Sequence, residues 1–294
     1  MVGTVWRPHS HMDVAIGKLL NGIPTDDGLQ APRIEVASVH LDQLADPADI
    51  GAVVCAQHGV PIFHSIMGAL TLGGRDLAVD GVLIVGEHGD YPYNARGQHL
   101  YPRRHLMEQV TAVIETSDRP CVVWNDKHFA ARWQDAIWSY ERCRTLGIPL
   151  MSGSSLPYAW RRPWLEPPLG TPMTEAVVVG YADLDSFGPH ALEALGCILE
   201  RREGGESGVC SARCVTGDRV WQDPAAWWRP LAEAAVARVG GGGTVGGGGY
   251  GSEAKPEGPL WETAHCAQPI LLTMEYGDGM RGAMLLLEVS RRHR

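Results

Sequence analysis

The chain has 294 residues, 45% of them hydrophobic and 20% charged, with a formal net charge of −9. That length supports one large domain or two modest ones, each with its own core. The acidic balance argues against general nucleic-acid binding, and no run of about 18 apolar residues offers a membrane span.

The elements read in chain order as follows. MVGTV is a very short first strand, and GTVWRPHSHMD (3–13) leads into the helix MDVAIGKLLNG, which Gly22 ends. RIEVASVHLD (33–42) reads as the second strand, PADIGAVVCAQHG as a helix, PIFHS as a short strand and SIMGALTLGG as a short helix. VDGVLIVGEHGD (79–90) holds a buried strand. RRHLMEQVTAVIETS, PCVVWND, RWQDAIWSYERCRTLG and PLMSGSS then alternate helix, strand, helix, strand. Repeated alternation with apolar strands predicts a doubly wound, Rossmann-like parallel sheet over residues 1–155, with ligands at the carboxyl ends of its strands.

The texture changes near residue 155. YAWRRPWLEPPLGTP is a proline-rich connector, MTEAVVVGYA a strand and GPHALEALGCILERR a helix. SGVCSARCVTGDRVW is a strand and turn, and PAAWWRPLAEAAVARV is helical. A glycine-rich loop (240–251) precedes ILLTMEYGDGMRGAMLLLEV, which reads as a hairpin turning at Gly277-Asp278-Gly279. Residues 156–294 are thus expected to form an α+β domain with an antiparallel sheet, serving substrate binding and oligomerisation. An open sheet face needs a cover, so a homo-dimer or tetramer is expected.

The seven cysteines are dispersed, which excludes a disulfide framework. Cys210 and Cys214 sit four apart with no second pair at zinc spacing. The start of the chain lacks a signal peptide's basic and apolar regions, and the expectation is a cytoplasmic protein.

Three strand ends concentrate polar residues. They offer Arg7, His9 and His11; Glu87, His88 and Asp90; and Asn125, Asp126, Lys127 and His128. His, Glu and Asp sets of this kind exchange protons near neutral pH or ligate zinc, manganese or iron. The candidate metal set is His9, His11, Glu87, His88 and Asp90. The competing structural reading is that His9 and Asp13 cap a helix and Asp90 makes a turn. Lys127 is one of only three lysines and follows a buried strand, where burial would suit it to proton exchange. Tyr91, Tyr93 and Asn94 lie in the loop YPYN. Trp160, Arg161 and Arg162 in the connector could wall and bind an anionic, sugar-like ligand.

This order of elements resembles the glucose–fructose oxidoreductase / inositol dehydrogenase (Gfo/Idh/MocA) family over roughly residues 1–290. His11 stands eight residues after Gly3, AQHGVPIFHSIMGAL matches the family's helix, G-V-P strand and short helix, and VDGVLIVGEHGD stands at its fourth strand. WNDKHFA takes the place of the E-K-P motif and DSFGPHALEAL that of the G-x-H-x-x-D helix start. The resemblance implies Lys127 and His190 as catalytic acid/base residues, with His128 and His88 nearby. It places Gly3, Val5, His11, Asp42 and Glu87 at the cofactor. Two loops depart from it: Val5 and Pro8 interrupt the glycine fingerprint, and Glu87-His88-Gly89-Asp90 replaces T-P-N.

The resemblance therefore favours an NAD(P)-dependent oxidoreductase acting on a sugar, cyclitol or hydroxy acid. The alternatives are a non-redox lyase, isomerase or hydrolase on the same scaffold, with a divalent metal, and a ligand-binding protein without turnover.

Overall fold

The structure, a computed structural model, describes residues 1–159, 161, 164–181, 183–240 and 268–287. The chain divides into two compact units, Met1–Ser154 and Ser155–Arg294.

The first unit runs β1 (Val2–Gly3), α1 (His11–Asn21), β2 (Ile23–Thr25), β3 (Gly28–Gln30), β4 (His40–Leu41), α2 (Gly51–His58), α3 (Ile66–Thr71), β5 (Gly81–Val85), α4 (Arg103–Thr116), β6 (Val122–Asp126), α5 (Trp133–Thr145) and β7 (Leu150–Gly153). Its main sheet has the order β4-β1-β5-β6-β7, and every neighbouring pair is parallel. Parallel strands need crossovers, and the helices that supply them cover both faces. Ile84, Leu106, Val110 and Val123 are core residues of one face, and Trp6, Met12, Ile16 and Val39 of the other. Each fully buried apolar side chain contributes about 1.5–3 kcal/mol. The chain leaves β1 toward β4 on one side and later returns through β5 on the other. This reversal opens a crevice at the carboxyl ends of β1 and β5.

The expected second strand over 33–42 is short: only His40 and Leu41 pair with β1. Ile34 is exposed, while Val36 and Val39 reach the core, so burial begins before the strand pairing does. The expected strand in PIFHS is a single parallel bridge, Val39 to Ile62. An antiparallel hairpin, β2 with β3, follows α1 and was not anticipated.

The second unit contains β8 (Glu175–Tyr181), α6 (Leu184–Leu199), β9 (Val209–Thr216), α7 (Arg229–Gly240), β10 (Ile270–Tyr276) and β11 (Arg281–Leu287). The sheet order is β8-β11-β10-β9. It is mixed rather than antiparallel: β9, β10 and β11 form a meander, but β8 runs parallel to β11. The reason is that β8 leaves through α6, and the meander's two reversals bring the last strand back beside it in the same direction.

Ala283, Leu285 and Leu287 of β11 pack with Trp228 and Ala232, and Met284 and Leu286 pack with Ala191. Period-two alternation thus buries β11 on both faces, against α7 and α6. The open face on which the oligomer expectation rested is covered there from within the chain. Among the described residues no helix is long and apolar enough to cross a membrane. The glycine-rich segment 241–251 and Cys266 lie outside the described residues.

Candidate active site at the carboxyl edge of the parallel sheet

The loop after β1 folds onto itself. Trp6 is fully buried in the core. Its backbone N–H donates to Asp49 Oδ2 at 2.7 Å, and its indole Nε1–H donates to Asp13 Oδ1 at 3.1 Å. The N–H of His9 donates to Asp13 Oδ2 at 2.8 Å, and Ser10 caps α1 by accepting from Asp13 N at 3.2 Å. Arg7 pairs with Asp46 at 2.8 Å. Val5 is buried. A Cβ on Gly3 would lie 2.8 Å from Met12 Sδ, so this glycine admits a core side chain of α1 rather than a ligand.

The loops after β4 and β5 are tied together. Gln43 accepts from Asp90 N at 2.8 Å and donates to Asp90 O at 3.0 Å. The Tyr91 hydroxyl donates to Asp42 Oδ2 at 2.7 Å, and burial together with this bond pushes the phenol upward in pKa. Since β4 and β5 flank β1, the clasp crosses the end of β1.

A charged cluster sits beside it. Glu87 is buried, its carboxylate pairs with the Lys127 ammonium, and His88 Nε2 is 3.3 Å away. Burial alone would raise the Glu87 carboxyl. The His88 bond and the charges of Lys127 and His11 outweigh that and hold it well below the usual carboxylate range. His11 Nδ1 is 3.0 Å from Asp126 Oδ2. That bond, aided by Glu87, raises the imidazole above its ordinary 6.5 against burial and Lys127. Ligand-type atoms of His11, Glu87 and Asp126 all lie within 4.8 Å of one another.

The backbone supports the cluster at a cost. Among the described non-glycine residues five have positive φ, and three of them are His9 (62°), His88 (64°) and Lys127 (65°). These three follow β1, β5 and β6, three neighbours in the sheet. The other two, Leu72 and Asp118, sit at helix carboxyl ends, where left-handed backbone is ordinary. Such conformations cost on the order of 1–3 kcal/mol each and persist where the surroundings over-determine them. For Lys127 they do. Its N–H donates to Gly153 O at 2.8 Å, and its carbonyl accepts from Ser152 Oγ at 2.8 Å and from Asn125 Nδ2 at 3.3 Å.

The remaining sequence-predicted residues distribute as follows. His128 Nε2 is 2.7 Å from Arg103 Nη1. Tyr93 stacks on His99 (4.2 Å), which packs on Tyr101 (4.1 Å), and Arg103 lies over Tyr101. Asn94 closes its own turn with Gln98. His9 and Asp90 stand outside the His11–Glu87–Asp126 group, and Asp126, absent from the expected metal set, stands inside it. His9 is instead tied by its N–H to Asp13, and the His88 ring lies against Glu87.

In the second unit His190 lies in the second turn of α6, not at its start, because Asp183 caps the helix and Pro189 lies within it. Its Nδ1 is 3.1 Å from Glu193. Arg161 donates to Leu165 O and Pro157 O, and Trp160 and Arg162 lie outside the described residues. Sequence reasoning missed Gln43, Tyr101, His99 and Asp49. Gln43 carried one signal, its place directly after β4; for the others no local pattern marked the role.

No family model matches the chain, and no curated protein matches it. Solved structures do. GenD2 from gentamicin A biosynthesis, in complex with NAD, aligns with 100% of this chain and 67% of its own, at 14% identity and TM-score 0.55. Scyllo-inositol dehydrogenase from Lactobacillus casei aligns over 98% and 68%, at 9% identity and TM-score 0.52. The chain has the Gfo/Idh/MocA fold. UDP-N-acetylglucosamine 3-dehydrogenase GnnA from Acidithiobacillus ferrooxidans shares it over 99% and 71%, at 14% identity and TM-score 0.51. At these identities the likeness is one of fold, and sugar and cyclitol oxidoreductases are its bearers.

The Gfo/Idh/MocA fold implies NAD(P), which needs loop N–H groups aimed at its phosphates. Here Trp6 and His9 direct theirs to carboxylates of the chain, and Pro8 has none. These residues do not fit the dinucleotide in that manner. For a metal, the Glu87 carboxylate already faces a cation, the Lys127 ammonium, and Asp126 pairs with His11.

Proposed function

We propose that this protein is an acid–base enzyme acting on a small polar substrate of sugar, cyclitol or hydroxy-acid type. The observation that carries the reading is the juxtaposition of two opposed pairs at one sheet edge. His11 is oriented by Asp126, and Lys127 is paired with Glu87. A carboxylate on Nδ1 fixes an imidazole's tautomer and stabilises the imidazolium it becomes. His11 therefore takes the substrate proton. On a substrate with a carbonyl beside the C–H that yields it, the electron pair left behind forms a C=C bond as the C=O π pair moves to oxygen, and the Lys127 ammonium stabilises the resulting oxyanion. Returning the proton to the same or a neighbouring atom completes an exchange or isomerisation. Lys127 thus acts as an electrostatic acid, not as a free amine base.

The test follows protons directly. The purified protein is incubated in D2O with a panel of aldoses, ketoses, cyclitols and hydroxy acids, and deuterium incorporation is read by NMR. Incorporation into one class, lost in Lys127→Met and His11→Asn variants that remain folded, is the expected result. Incorporation unaffected by both substitutions would refute the assignment.

A second reading is supported by the fold: an NAD(P)-dependent dehydrogenase, since one structure of this fold carries NAD. In that case His11 and Lys127 would handle the hydroxyl proton, and dinucleotide addition would be required for any turnover.

A further inference from the structure

We infer that Asp13 and Asp49 are built-in substitutes for the two phosphates of a dinucleotide, and that the crevice takes a compact ligand instead. Both carboxylates accept from the loop that follows β1. Asp49 takes the Trp6 N–H and also the Gly51 N–H at 2.7 Å, at the start of α2. Asp13 takes the His9 N–H and the Trp6 indole, in the first turn of α1. A negative charge at the amino end of a helix is stabilised by the same dipole and N–H groups that would hold a phosphate. A phosphate arriving here meets donors already engaged and two like charges.

Three further observations point the same way. The indole of Trp6 fills the space beneath the loop and is wholly buried. The one glycine of the fingerprint that survives, Gly3, is closed by Met12. Above β1 the Gln43–Asp90 and Tyr91–Asp42 bonds join the β4 and β5 loops across the path that an extended dinucleotide would follow. At the same edge the side chains of His11 and Lys127 keep 34% and 16% of their surface exposed, where one small polar molecule can meet them.

The inference goes beyond the acid–base reading, and its test does not depend on turnover. NAD+, NADH, NADP+ and NADPH are titrated separately into the full chain by calorimetry, to concentrations of about 1 mM. No saturable binding is expected for any of them. In parallel, amide hydrogen exchange of His9 is followed in the wild type and in Asp13→Ala. The His9 amide is expected to exchange about 10-fold faster in the variant, the loss of one hydrogen bond. If Asp13→Ala does not fold, Asp13→Leu, which removes the acceptor at similar size, carries the same comparison. Saturable binding of any of the four dinucleotides, or unchanged His9 protection in the folded variant, would overturn the inference. A failed deuterium-exchange test at Lys127 and His11 would leave both of these results standing.

Discussion

The loop after β1 and the loops after β5 and β6 look alike in sequence, since both are dense in histidine, acid and base. They use those groups differently. The first turns its polar groups inward: Trp6, His9 and Arg7 are matched to Asp13, Asp46 and Asp49. The second gathers ionisable groups against one another, with Glu87, Lys127, Asp126 and His11 in one cluster. A closed loop is a structural device, while a buried group of opposed charges on strained backbone is where chemistry is to be sought. The surviving likeness to a nucleotide loop therefore marks position and not ligand.

Substitutions should separate the two regions. The largest effect is expected at Lys127→Met and His11→Asn, which should each lower proton exchange by about 10²–10⁴-fold. Trp6→Ala should do the reverse, costing about 3–5 kcal/mol in a urea titration through the lost core side chain. Proton exchange retained in Lys127→Met, or lost in a Trp6→Ala variant that stays folded, would erase the distinction. Gln43→Ala should cost on the order of 1–3 kcal/mol for its two backbone bonds, read as a lower denaturation midpoint.

The smallest effect concerns pH. Because Asp126 raises His11 above 6.5, the stabilisation from this pair is complete below that value and disappears as pH rises through the raised pKa. Asp126→Asn should lower the NMR midpoint of His11, and its stability deficit should shrink toward alkaline pH. Glu87 has the opposite sign: its contribution stands above 4.5 and is lost only as pH falls through its depressed value. An unmoved His11 midpoint in Asp126→Asn would mean that the pair does not set it.

Much of the first unit was legible because strand and helix periods alternate plainly and Gly22 and Ser10 mark the ends of α1. The three polar strand ends were legible too, since parallel topology puts them on one edge. Their division of labour was not. It depends on the left-handed backbone at His9, His88 and Lys127, which no side-chain pattern announces. In that loop Ser10, not His9 or Asp13, caps α1, and Asp13 accepts from the His9 N–H. The hairpin over residues 23–30 escaped notice because its three-residue strands are exposed throughout, leaving no alternation to detect. The parallel placement of β8 beside β11 joins segments far apart in the chain, and local sequence carries no register for that.

The most direct measurement is deuterium incorporation from D2O into a small polar substrate, with no added dinucleotide, by wild type, Lys127→Met and His11→Asn. The account predicts incorporation by the wild type and its loss in both folded variants. Incorporation that persists in both, or that appears only when a nicotinamide dinucleotide is added, would contradict it.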